Sequence, residues 1–124
     1  MKCLFLDAIE FATTKEQVAK VERMLNCLTV LVTFEKGDGE KQLGNLLKEI
    51  KKTTARIGTS NVMFAPFCHL SSNLMDGEKA EKFVVECEKR LSNEYVLAVS
   101  EFGVEKGLLL NIRRNKDCIQ FREF

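Results

Sequence analysis

Cys27-Leu28-Thr29-Val30-Leu31-Val32-Thr33-Phe34 reads as a strand, and that reading decides the fold. Thr29, Val30, Val32 and Thr33 are β-branched and favour extended chain. The run is apolar on both parities for part of its length, the pattern of a strand buried on both faces. Asn61-Val62-Met63-Phe64-Ala65 is a second such run. Between them, Gly37-Asp38-Gly39 marks a turn. Leu43, Leu46, Leu47, Ile50, Thr54 and Ile57 then keep the rhythm of an amphipathic helix, with Lys48, Lys51 and Lys52 outside and Gly58 as its stop. A second helix is expected from an N-cap at Asp76, with Ala80, Phe83, Val84, Cys87 and Leu91 on one stripe and Lys79 and Lys82 exposed. Tyr95–Val99 and Lys2–Leu6 read as strands, and Ala8–Phe11 extends the latter or forms a short strand of its own. The charged stretch Thr14–Leu25 is expected to be a short helix, with Val18 and Val21 as its weak apolar stripe. Gly107–Ile112 and Cys118–Phe121 are expected to form a hairpin joined at Asn115-Lys116-Asp117. The fold class that follows is α/β, with a mixed, largely antiparallel sheet and two main helices covering one face.

The chain has 124 residues, 45% of them hydrophobic, which suits one domain over residues 1–124. A formal net charge of +1 with 30% charged residues is unlike a freestanding nucleic-acid binder. It is compatible with a domain acting on one end of an RNA held elsewhere. No run approaches the roughly 20 apolar residues of a membrane span, and the first residues do not make a signal peptide. Five cysteines without framework spacing point to reduced thiols and a cytoplasmic setting. With no Trp and one Tyr, platforms for stacking several bases are not expected.

The only proline and the only histidine lie three residues apart, in Ala65-Pro66-Phe67-Cys68-His69-Leu70-Ser71-Ser72. Proline stiffens this loop, and histidine titrates near neutrality. A polar loop between a strand and a helix is where α/β proteins place ligands. Taken alone, His69 is a loop histidine and Lys106 a solvated lysine. A Cys68–His69 dyad is not expected, because adjacent loop residues rarely aim at each other. One histidine and scattered cysteines give no metal-ligand spacing, so neither a metal nor a cofactor is expected.

Two motifs carry a resemblance. Asn61-Val62-Met63-Phe64-Ala65-Pro66-Phe67-Cys68-His69-Leu70-Ser71-Ser72 resembles the signature of the archaeal threonyl-tRNA synthetase editing domain, a strand followed by Pro-(Phe/Tyr)-Ala-His-Leu-Ser-Ser. Phe102-Gly103-Val104-Glu105-Lys106 is similar to that family's Phe-Gly-(Tyr/Trp)-Tyr-Lys. The first strand and the strand leading to Glu35 match by pattern, so the resemblance covers nearly the whole chain. It implies a fold similar to that of D-aminoacyl-tRNA deacylases, a homodimer, and hydrolysis of serine mistakenly esterified to threonine tRNA. The partner would be a tRNA 3′ end, with the rest of a threonyl-tRNA synthetase either attached (action in cis) or separate (action in trans). Lys106 and His69 match the family's catalytic lysine and histidine. Pro66, Phe67 and Cys68 would line the seryl pocket, with Phe102, Gly103 and Glu105 completing substrate binding. The departures are Glu105 in place of tyrosine, no Gly-His-Pro-Leu-(Ala/Ser)-Glu segment around Arg113–Cys118, and Leu6-Asp7 where the family has His-Ser-Asp. No glutamate is carried over from the missing segment. The alternatives are a D-aminoacyl-tRNA deacylase, whose Ser-Gln-Phe-Thr-like and Gly-Pro-Val-Thr-like stretches this chain lacks, and a non-catalytic relative that binds an amino acid or a tRNA 3′ end.

The expected chemistry has a physical motive. Threonine and serine differ by one methyl, a difference that binding discriminates by only about 1–3 kcal/mol, so threonine selection needs a second, hydrolytic step. Ester hydrolysis needs a placed water, stabilisation of developing negative charge and a proton for the leaving oxygen.

Overall fold

The computed structural model describes residues 1–16 and 19–124. Its elements are β1 (Lys2–Lys15), β2 (Ala19–Thr33), α1 (Glu40–Ile57), β3 (Asn61–Pro66), α2 (Gly77–Leu91), β4 (Val96–Val99), β5 (Gly107–Ile112) and β6 (Ile119–Glu123). The sheet runs β4-β3-β2-β1-β5, with β6 also on β1. β1 is antiparallel to β2, β5 and β6, while β2–β3 and β3–β4 are parallel.

Residues 27–34 are buried without interruption. One side of this segment, with Val30, Val32 and Phe34, meets Leu43, Leu46 and Ile50 of α1 and Ala80, Val84 and Leu91 of α2 in one core. Both helices therefore cover one face, as the sequence pattern predicts. α1 opens with the Gly39 N–H donating to Gln42 Oε1 at 2.8 Å and ends at Gly58, whose φ of 72° permits the left-handed cap. Asp76 occupies the N-cap of α2 without a side-chain capping bond.

The opposite face is covered by the protein's own ribbon. Leu31, Met63 and Ala65 pack against Leu6, Ala8, Phe11 and Cys27, with Met24 and Ala98 at the margin. The distal half of the β1–β2 ribbon folds back over the sheet, so that Glu22 bonds to Ser100 and Glu101 beyond the end of β4. This arm replaces the helix expected over Thr14–Leu25; Gln17 and Val18 of that stretch lie outside the described residues. Within β2, Glu22 and Met24 are half-buried, whereas Val21, Arg23 and Leu25 are exposed. That period of two belongs to a strand with one covered face. Glu10 on β1 pairs with Lys20 at 3.0 Å and with Arg23 across the ladder, so much of the segment's charge is used between strands.

The expected hairpin of the last two strands also takes another form. β5 and β6 do not pair with each other; they follow one another along the same edge of β1, β5 on Ala8–Thr14 and β6 on Lys2–Leu6. The excursion between them is pinned at Asp7, whose carbonyl accepts the Arg113 N–H at 2.8 Å and whose N–H donates to Cys118 O at 2.9 Å. Arg113 closes over it, with Nε 3.3 Å from Asp7 Oδ1. β1 is long enough to hold both strands, which a pattern of turn residues does not reveal.

Candidate active site

The parallel pairs β2–β3 and β3–β4 bring three strand ends to one side, the usual position of a ligand crevice in such sheets. Two loops leave from there. The first, from Pro66 to Asp76, is sewn to the end of β2 and to the residues that follow it. Phe67 N–H donates to Val32 O at 2.8 Å, and Met75 N–H to Phe34 O at 3.1 Å. Thr33, buried to 1% exposure, donates its hydroxyl to Phe67 O and accepts the Leu70 N–H at 3.2 Å. Ser71 Oγ donates to Glu35 Oε2 at 2.6 Å and accepts the Asn73 N–H at 3.0 Å. Glu35 also binds the Met1 ammonium at 2.8 Å and Lys2 Nζ at 3.4 Å. The hydrogen bonds from the ammonium and then from Ser71 outweigh burial and bring its carboxyl down to about 2.

The second loop runs from Ser100 to Lys106 and feeds β5. Ser100 N–H prolongs the β3–β4 pairing by donating to Phe64 O at 2.9 Å. Gly103 turns the chain at φ 77°, a conformation that costs a residue with a Cβ about 1–2 kcal/mol. Gly107 then packs so closely on β1 that an added Cβ would lie 2.4 Å from Thr14 Oγ1.

A cleft of about 1120 Å³ lies between these loops. Pro66, Phe67, Cys68, His69, Phe102, Gly103, Glu105 and Lys106 all line it. Two stretches separated by more than thirty residues in sequence thus share one cavity, floored by Leu31, Ala65 and Ala80. His69 is exposed at its mouth and stands edge-on to Phe67, with ring centroids 5.0 Å apart. Cys68 is also exposed, and its Sγ lies 3.6 Å from His69 Nε2. At that separation, with no third side chain seen to orient the imidazole among the described residues, the pair is a contact rather than a built nucleophile and base. Glu105 is exposed. No group of His, Cys, Asp and Glu suited to a metal ion occurs among the described residues.

Lys106 is the most embedded charge on the cleft wall, its side chain 15% exposed. It donates to Glu101 O and lies 3.4 Å from Glu22 Oε1. Glu22 also accepts Thr13 Oγ1 at 2.9 Å, Ser100 Oγ at 3.1 Å and the Glu101 N–H at 2.9 Å. Burial alone would raise the Glu22 carboxyl. These hydrogen bonds and the Lys106 charge overcome burial and leave the group below the ordinary carboxylate range. Glu22, Thr13, Ser100 and Thr33 escape a reading by motif. The only signal in the sequence for Glu22 is the alternation it shares with Met24.

The model of the family described as the archaea-specific editing domain of threonyl-tRNA synthetase matches residues 1–113. The chain belongs to this family. A threonine–tRNA ligase of Methanococcus maripaludis is 34% identical over 124 residues, covering 91% of this chain and 20% of that enzyme. The ligase of Nitrosopumilus maritimus is 29% identical over 118 residues, covering 89% of this chain and 19% of its own length. The editing-domain chain therefore spans about a fifth of these relatives. Among solved structures, the c-Myc DNA Unwinding Element Binding Protein superposes with a TM-score of 0.71 at 15% identity, covering 100% of this chain and 99% of the other. A "probable eukaryotic D-amino acid tRNA deacylase" superposes with a TM-score of 0.56 at 8% identity, covering 99% and 97%. At such identities the likeness is one of fold: the editing domain has the D-aminoacyl-tRNA deacylase architecture, a mixed, mostly antiparallel six-stranded sheet with two helices.

Proposed function

We propose that this editing domain hydrolyses the ester joining L-serine to the 3′ end of threonine tRNA, with Lys106 and His69 as its catalytic side chains. The observation that carries the reading is the meeting of the two motif loops on one cleft, with the Lys106 ammonium set into its wall. Water attacks the ester carbonyl, the bond to the ribose oxygen breaks, and serine leaves with the proton count balanced by transfer to that oxygen. An ammonium beside the carbonyl stabilises the negative charge that develops there or holds the attacking water. His69, at the mouth, binds the terminal adenosine or the aminoacyl group. Backbone groups of Pro66, Phe67 and Cys68 bound the seryl side chain, Phe67 setting its size, while Phe102, Gly103 and Glu105 shape the facing wall.

The tRNA partner follows from the chemistry, and the near-neutral charge favours action in cis, with the rest of a synthetase supplying most of the phosphate contacts. Among the described residues no helix is long and apolar enough to cross a membrane. The working compartment in this reading is the cytoplasm. Leu110, Ile119 and Phe121 are 38%, 56% and 50% exposed on the strands at the free side of β1, an apolar surface suited to a second copy in a homodimer.

The test is single-turnover deacylation of threonine tRNA charged with L-serine, L-threonine or a D-amino acid. The expected result is rapid loss of L-serine alone, abolished by Lys106→Met with the fold intact by circular dichroism. Cleavage confined to D-aminoacyl esters would replace the reading with the rival deacylase. Binding of a seryl-adenosine analogue without turnover of any ester would make the domain a non-catalytic relative.

A further inference from the structure

We propose that Glu22 is the positioning residue for Lys106: a carboxylate from the folded-back ribbon that holds the ammonium against the cleft. The inference rests on the deacylase reading, and three bonds carry it. Glu22 Oε2 accepts the Glu101 N–H at 2.9 Å, Glu101 O accepts from Lys106 Nζ, and Nζ lies 3.4 Å from Glu22 Oε1. The three groups form a closed ring that joins β2 to the two ends of the loop between β4 and β5. A lysine side chain is a flexible four-carbon stem with three N–H donors. The ring occupies two of them and leaves one for a ligand in the cleft that Lys106 lines.

Glu22 is itself fixed from behind. Thr13 is 0% exposed and Ser100 is 2% exposed, and both hydroxyls donate to Glu22 Oε1. The Glu22 N–H in turn donates to Thr13 Oγ1 at 3.1 Å, which sets that hydroxyl's proton toward the carboxylate. Lys106 and Ser100 line the cleft; Glu22 is not among its lining residues. It therefore acts through Lys106 rather than on substrate. The arrangement also gives the ribbon a role in the site: Thr13 on β1 and Glu22 on β2 supply the brace for a lysine more than eighty residues away.

The experiment compares wild type with Glu22→Gln, which keeps the side chain's size but removes its charge and one acceptor. The expected result on seryl-tRNA for threonine is a fall in kcat on the order of tenfold to a hundredfold, the range for a slightly misplaced catalytic group. KM should stay within about twofold, because the lost contact is not with substrate. NMR of the lysine ε-methylenes supplies a readout independent of turnover. The Lys106 ε-methylene should be ordered in wild type and as mobile in Glu22→Gln as that of exposed Lys48. Should Glu22→Gln fail to fold, Ser100→Ala removes one of the bonds that aim the carboxylate and should shift both readouts the same way by less. Unchanged kcat in a folded variant, or a wild-type Lys106 as mobile as Lys48, overturns the proposal while the deacylase reading stands. A wild-type protein that cleaves no seryl-tRNA defeats that reading and Glu22's catalytic part together, and Lys106 mobility still decides whether Glu22 holds it.

Discussion

Replacing Thr33 by valine tests how the sheet holds the candidate site. Valine preserves the shape of threonine and its preference for a strand, so β2 itself should survive. Two backbone bonds are lost. The Thr33 hydroxyl no longer donates to Phe67 O, and nothing replaces it as acceptor for the Leu70 N–H. Thr33 is 1% exposed, so little water reaches the strand side of these groups. Each net bond is worth roughly 0.5–1.5 kcal/mol, and a group left unpaired costs more. The expected destabilisation is about 2 kcal/mol, a fall in Tm on the order of 8 °C for a domain of this size. Thermal and urea unfolding measure it. The bonds clamp residues 67 and 70 on either side of His69, so seryl-tRNA deacylation at a temperature well below Tm should fall further than the unfolded fraction explains. A Thr33→Val protein with wild-type Tm and full deacylation would refute the claim that this hydroxyl fixes the loop.

Other expectations follow from burial and charge. Burial pushes the Cys87 thiol up to about 12, and it raises Cys3 and Cys27 as well, whereas Cys68 is exposed on the cleft. Alkylation followed by mass mapping should label Cys68 first and leave those three protected until the protein unfolds; equal rates at Cys68 and Cys87 would contradict the packing. The Glu35 carboxyl, drawn from 4.5 to about 2, stabilises the fold fully above pH 4.5 and loses that contribution as pH falls toward 2. Between pH 5 and 2, Tm should fall more steeply in wild type than in Glu35→Gln; parallel curves would show that the carboxylate does not hold the Ser71 loop to the first strand.

The readable parts of the fold were those where one covered face imposes one period. Residues 27–34 announce a strand buried on both sides, and Leu43, Leu46 and Ile50 a helix lying on it. The β1–β2 arm was hidden because its covered face carries Glu22 beside Met24. The half-buried carboxylate is held there by bonds to residues 13, 100, 101 and 106, and no local pattern exposes such partners. The paired path of β5 and β6 was hidden for a related reason: turn residues at 115–117 mark a change of direction but not which strand receives the chain. The candidate site was legible as two motifs. Their convergence depends on parallel β3 and β4 ending side by side, and on an arm that folds back over the sheet. That tertiary arrangement also supplies the brace for Lys106.

The most direct measurement is a crystal structure with a non-hydrolysable 3′-seryl-amino-adenosine. The seryl group should lie in the cleft between the Pro66 and Gly103 loops, with its carbonyl within hydrogen-bond reach of Lys106 Nζ and the adenosine beside His69. A ligand bound elsewhere on the molecule, or in the cleft with Lys106 turned away from the carbonyl, would contradict it.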